Sequence, residues 1–117
     1  FTPHLIPMTR GMHSTIYGRL RDPGLTSSDC RILLDNFYRN HSNIKVLPVD
    51  IYPSTKWVRN TNEIHLSVKV DNRNGRIIIL SVIDNLIKGQ TGQAIQNLNL
   101  ISGIPINEGL EMINHYP

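Results

Sequence analysis

The stretch Asp84 to Leu100, DNLIKGQTGQAIQNLNL, carries two glycines, three glutamines and no charge beyond Lys88. Helical spacing places Gly89, Gly92, Gln93, Gln96 and Asn99 on one side and an apolar packing stripe of Ala94, Ile95, Leu98 and Ile101 on another. A glycine inside a helix costs about 1 kcal/mol relative to alanine. Two of them in the first turns therefore imply a close approach, either of a flat ligand, of another backbone, or of a tightly packed neighbouring helix. The first amides of a helix also point outward unpaired and attract anions or polarised oxygens. The nucleophile and metal chemistries have less to offer. The single thiol, Cys30, falls on the apolar stripe of an amphipathic segment and reads as core. Of the five histidines, His4 lies in an extended segment, His13 and His65 on the polar faces of strands, His41 at a helix end and His115 in the terminal tail. No two of them have helical metal-ligand spacing with an acid between, so the pattern predicts no metal site.

The elements that position these residues follow from the hydrophobic periods. Thr2 to Met8 holds two prolines and reads as an irregular or edge strand. Met12 to Leu20 alternates and predicts a strand. After the Asp22-Pro23-Gly24 turn, Thr26 and Asp29 form a capping box ahead of a helix whose stripe is Cys30, Leu33, Leu34 and Phe37, ending near Asn40. Asn43 to Leu47 predicts a short strand, and Val49 to Asn62 a long connection of the kind that often carries function. Ile64, Leu66, Val68 and Val70 alternate with Glu63, His65, Ser67 and Lys69, which predicts a half-buried strand. DNRNG then turns the chain into Arg76 to Ile83, a nearly continuous apolar strand that belongs inside a sheet. Asp84 and Asn85 stand at its C-terminal end, with a helix starting near Lys88 or Gly89. Ile104 to Pro117 reads as an irregular tail.

A chain of 117 residues, 39% hydrophobic and 18% charged, accommodates one domain over residues 1–117. Its formal charge is +3, but the twelve Lys and Arg are dispersed, with no basic helix face and no aromatic interleaving. That pattern argues against nucleic acid as a partner. No apolar run reaches the length of a membrane span, and no basic leader precedes a small-residue cleavage site. One cysteine cannot form an internal disulfide, which fits the cytoplasm or an organelle interior. Starting at Phe1 in an extended segment, the sequence reads as a cut through a larger polypeptide.

FTPHLIPMTRG at 1–11, PSTKWVRNTN at 53–62 and IDNLIKGQTGQAIQNLNLISGIP at 83–105 resemble the C-terminal half of N-acetyl-gamma-glutamyl-phosphate reductase, related to aspartate-semialdehyde dehydrogenase. The resemblance runs in order along nearly the whole chain. It implies an α+β fold with a mixed, mostly antiparallel sheet covered by helices, similar to the C-terminal domains of semialdehyde and glyceraldehyde-phosphate dehydrogenases. It also implies NADP as the parent's cofactor, N-acetyl-gamma-glutamyl phosphate as substrate, a homo-oligomer, and an N-terminal nucleotide-binding domain as a partner that is absent here. The family's catalytic cysteine and histidine belong to a segment upstream of Phe1, so no catalytic residue is expected in this chain and it should be inactive alone. Arg10 in PMTRG and Lys56 in STKW are the implied holders of substrate carboxylate or phosphate, since arginine pairs with planar anions and lysine acts as a point charge. The Asp84-Asn85 pair before a helix also resembles the corresponding point in glyceraldehyde-phosphate dehydrogenases, and by that analogy Asn85 would hold the nicotinamide carboxamide, while Lys88, Gly89, Gly92 and Gln93 would let the cofactor or its domain come close. A different reading of the same residues is a stand-alone interaction module without chemistry. Without a nucleotide domain, the outer side of Gly89 to Asn99 would be exposed.

Overall fold

Alternation along Ile64–Asp71 and the unbroken apolar run of Arg76–Ile83 produce an antiparallel hairpin around which the rest of the chain is built. The structure, a computed structural model, describes residues 2–111. In chain order the elements are β1 (Met12–Arg19), α1 (Ser27–Tyr38), β2 (Ile44–Val46), α2 (Thr55–Val58), β3 (Ile64–Asp71), β4 (Arg76–Ile83), a π-helical turn (Ile87–Thr91) and α3 (Gly92–Ile101). The four strands form one sheet in the order β1-β4-β3-β2. β1 and β3 run antiparallel to β4, and β2 joins β3 in parallel. The architecture is thus α+β with a mixed, mostly antiparallel sheet, and the apolar strand lies inside it as its composition predicts.

Helix α1 begins with the anticipated capping box: Asp29 N–H donates to the Thr26 hydroxyl, and Thr26 N–H donates to the Asp29 carboxylate. The Thr26 donors hold the Asp29 carboxyl below the usual range. Ser27 ties this end to the sheet by accepting a hydrogen bond from Val70 N–H at 2.9 Å. Cys30 then packs on Val68 and Val70, with Leu20, Leu25, Leu34, Ile77 and Ile79 closing around them. Burial of aliphatic side chains such as these is worth about 1.5–3 kcal/mol each. The stripe is narrower than its sequence period suggests, because Leu33 and Phe37 are exposed and only its Cys30–Leu34 side meets the sheet.

Two strand expectations change. β3 is not half-buried: His65 and Ser67, on its polar face, are buried along with Leu66, Val68 and Val70. That second face is covered by the connection before β3, where residues 55–58 coil into α2 and pack against β4. Ser54 caps this short helix by accepting from Lys56 N–H, and Val58 is fully buried. β1, by contrast, is an exposed edge throughout.

The largest difference lies in α3. Gly92, Gln96 and Asn99 face inward, while Ile95, Leu98 and Ile101 are 39%, 62% and 84% exposed. The polar side wins the interior because the segment after the helix folds back and supplies partners. Asn99 donates to the carbonyls of Ile106 and Glu108, and Gln96 donates to Asn107, which in turn donates to Ser42. Leu110 is buried at the end of this return. The expectations for the tail beyond residue 111, His115 included, lie outside the described residues.

Candidate functional site

Asp84 ends the central strand with its side chain fully buried, and the site is organised around it. Its Oδ1 accepts from Leu86 N–H at 2.8 Å and Ile87 N–H at 3.1 Å, which starts the π-helical turn. Its Oδ2 accepts from Asn60 N–H at 2.8 Å. Arg10 Nε–H donates between the two oxygens, at 2.9 and 3.0 Å. Burial alone pushes this carboxyl toward its neutral form, but the guanidinium and the three amides outweigh it and hold the group below the usual carboxylate range. One buried anion therefore joins three segments that are far apart in sequence: the entry to β1, the exit from α2 and the turn after β4.

The next residue repeats the pattern. Asn85 Oδ1 accepts from Gly11 N–H at 2.8 Å, so the Asp84-Asn85 pair grips residues 10 and 11 together. Gly11 has φ of +104°, and a Cβ there would stand 2.8 Å from the Thr55 Cβ. Only glycine permits α2 to close against the start of β1. Asn60, with φ of 61°, takes the left-handed conformation that aims its N–H at Asp84.

Between these segments lies an open cleft of about 280 Å³, with Pro7 to Arg10 on one wall and Thr55, Lys56 and Arg59 on the other. Among the described residues its lining has three cationic side chains and no acidic one. Thr55 Oγ1 donates to the Met8 sulfur at 3.5 Å and spans the two walls. The structure thus brings Arg10 and Lys56 together from positions 46 residues apart in sequence. Arg10 spends only its Nε–H on Asp84, and its terminal N–H groups make no other hydrogen bond among the described residues. Such an arrangement suits a carboxylate or phosphate bound through paired donors.

The residues of the glycine-bearing stretch do not share one outer side. The turn from Ile87 to Thr91 is held by bonds reaching back five residues, including Gly89 N–H to Asp84 C=O at 2.9 Å and Thr91 N–H to Leu86 C=O at 3.1 Å. Its wider coil breaks the helical phase between the two glycines. Gly89 and Gln93 stay exposed, whereas Gly92 is buried against Asn62, whose Oδ1 would lie 2.2 Å from an added Cβ. Of the possibilities left open for the glycines, close packing within the chain is the one realised at Gly92. Lys88 Nζ donates to Gln96 Oε1, and burial lowers its pKa.

Other candidates fall elsewhere. Cys30 is buried in the core, and burial with Asp29 beside it raises the thiol pKa, the opposite of what a nucleophile needs. His65, on the polar face of its strand, is buried there and pairs with Glu63 at 2.9 Å, and its ring centre is 6.3 Å from that of Trp57. Among the described residues no three His, Cys, Asp or Glu side chains stand close enough to hold a metal ion, and no helix is long and apolar enough to cross a membrane. Two contributions are not legible in the sequence. Arg59 sits in the same loop as Lys56 without a motif to mark it. Asp84 was visible as a charge closing an apolar strand, but its reach to Arg10 and Asn60 depends on the fold.

Comparison with known proteins agrees with this architecture. The chain is 90% identical over its full 117 residues to N-acetyl-gamma-glutamyl-phosphate reductase from Prochlorococcus marinus (strain MIT 9515) and 91% identical to the protein of that name from Prochlorococcus marinus subsp. pastoris. In each case it spans only 33% of the relative's length. The fold is similar to that of aspartate semialdehyde dehydrogenase II from Vibrio cholerae, with a TM-score of 0.67 at 17% identity, covering 84% of this chain and 29% of that one. A family model described as semialdehyde dehydrogenase, dimerisation domain, matches residues 1–85, so the chain belongs to that family.

Proposed function

We propose that the chain is the substrate-binding and dimerisation part of an NADPH-dependent N-acetyl-gamma-glutamyl-phosphate reductase, which yields N-acetylglutamate semialdehyde and phosphate in arginine biosynthesis, in the cytoplasm or an organelle interior. The observation that carries this reading is the cleft in which Arg10 and Lys56 face each other with no acidic lining. Its cations match a substrate that has a carboxylate at one end and an acyl phosphate at the other. Arg10, oriented by Asp84, and Lys56 hold these anionic groups. Relatives that carry the reductase name and align over the whole chain at 90% and 91% identity add support.

NADPH, when bound, supplies the hydride. Asn85 orients the nicotinamide carboxamide: its oxygen is occupied by Gly11 N–H, which leaves the amide N–H groups as donors. Gly89 and Gln93 present an uncharged, exposed surface next to it, with Lys88 beside them, and Gly92 serves indirectly by seating α3 on Asn62. The thiol nucleophile and the proton-handling histidine come from outside this chain, which spans 33% of its relatives' length, and Cys30 is committed to the core. The exposed apolar side of α3, with Leu98 and Ile101, docks the protein's own N-terminal nucleotide-binding domain, because contiguous apolar surface marks an interaction site. The protein assembles as a homo-oligomer through this domain.

The test is the reverse reaction: NADPH formation from N-acetylglutamate semialdehyde, phosphate and NADP. The chain alone is expected to be silent, and mixing with the separately produced upstream part to restore turnover. Activity of the chain by itself would overturn the divided site. In the full-length protein, Asn85→Ala is expected to weaken productive NADPH use, and unchanged kinetics would remove Asn85 from this role.

A further inference from the structure

Arg59 is the cleft residue left without a task. Its side chain is half-buried and makes no hydrogen bond or ion pair among the described residues, although acidic partners engage Arg10, Arg31, Lys45, Lys69 and Arg73. An arginine held at an open cleft without a partner of its own has its fork of donors available to an oxyanion. Its backbone is held firmly. Arg59 caps α2 in an extended conformation (φ −61°, ψ 132°), and the next residue, Asn60, is pinned in the left-handed region by the bond from its N–H to Asp84. The same carboxylate orients Arg10 across the cleft. One buried anion thus fixes both the guanidinium of Arg10 and the base from which Arg59 extends. Pairing with Asp84 also offsets the charge of Arg10, so Arg59 adds uncompensated positive charge to the cleft.

We propose that Arg59 contacts substrate directly, binding one of its oxyanions from the α2 wall while Arg10 binds from the other, with Asp84 as the positioning residue for both. This rests on the reductase reading above and adds a residue to it. A guanidinium–oxyanion contact of this kind is worth about tenfold to a hundredfold in apparent affinity.

The experiment uses the full-length protein in the reverse direction, comparing wild type with Arg59→Gln and Arg59→Lys. Arg59→Gln is expected to raise KM about tenfold or more for one of the two anionic reactants while leaving the KM for NADP and the melting temperature unchanged. A rise for inorganic phosphate assigns Arg59 to the phosphoryl end, and a rise for the semialdehyde assigns it to the carboxylate. Arg59→Lys should recover part of the loss by keeping the charge without the paired donors. Unchanged KM for both reactants in Arg59→Gln overturns the proposal, as does an equal rise for NADP. Should wild type show no turnover, the reductase reading fails separately. Calorimetric titration with inorganic phosphate then decides the site, and equal binding by wild type and Arg59→Gln counts against it.

Discussion

Asp84→Asn keeps the shape of the side chain and removes its charge, which isolates the role of the buried carboxylate. Four N–H donors converge on its two oxygens: Arg10 Nε, Leu86 N, Ile87 N and Asn60 N. An amide placed there must turn its NH2 either toward Asn60 and Arg10 or toward Leu86, Ile87 and Arg10, so in both orientations donors face donors. Arg10, with only 24% of its side chain exposed, also loses its counter-charge. Removing one partner of a buried pair costs about 3–5 kcal/mol. For a domain of this size that corresponds to a melting temperature lower by roughly 10–20 °C. Urea and thermal unfolding followed by circular dichroism would measure it. The pH dependence gives a second readout. The Asp84 pKa is lowered in the folded state, so its stabilisation is complete above the unfolded value of about 3.9 and is lost as pH falls through the lower folded value. The gap between wild type and variant should narrow in that acidic window and nowhere above it. A variant within about 1 kcal/mol of wild type at neutral pH would refute the reasoning, because that is the worth of a surface pair.

Gly92→Ala gains about 1 kcal/mol of helix propensity but places a Cβ 2.2 Å from Asn62 Oδ1 and 2.9 Å from the Ile87 carbonyl. Net destabilisation of about 1–2 kcal/mol is expected in urea unfolding, with partial recovery on adding Asn62→Ala; a stabilised single variant would show that α3 is not seated as described. Lys45→Met should raise the Glu63 pKa, because burial already pushes that carboxyl up and the Lys45 ammonium at 2.6 Å, together with His65, holds it down. Side-chain carboxyl NMR shifts across acidic pH would follow it, and an unmoved titration would dismiss the pair as a weak surface contact.

Local pattern determined the four strands, the capping box and the order of the strands and the two long helices in this protein, but not α2 or the π-helical turn. Alternation at Ile64–Val70 and the apolar run to Ile83 have one low-energy use, a hairpin buried in a sheet, and Thr26 with Asp29 carries its own partner three residues away. Family resemblance also singled out Arg10 and Lys56 as candidates. Their shared cleft was decided by tertiary structure, because it needs Gly11 to admit Thr55 and Asp84 to gather residues 10, 60 and 86 from three separate segments. The burial of α3 was decided the same way. Its apolar period pointed Ile95, Leu98 and Ile101 inward, yet Gln96 and Asn99 took the interior. Periodicity reports which side of a helix avoids water, whereas the side that packs within the chain depends on where hydrogen-bond partners are supplied, here by the returning segment at Ile106 to Glu108.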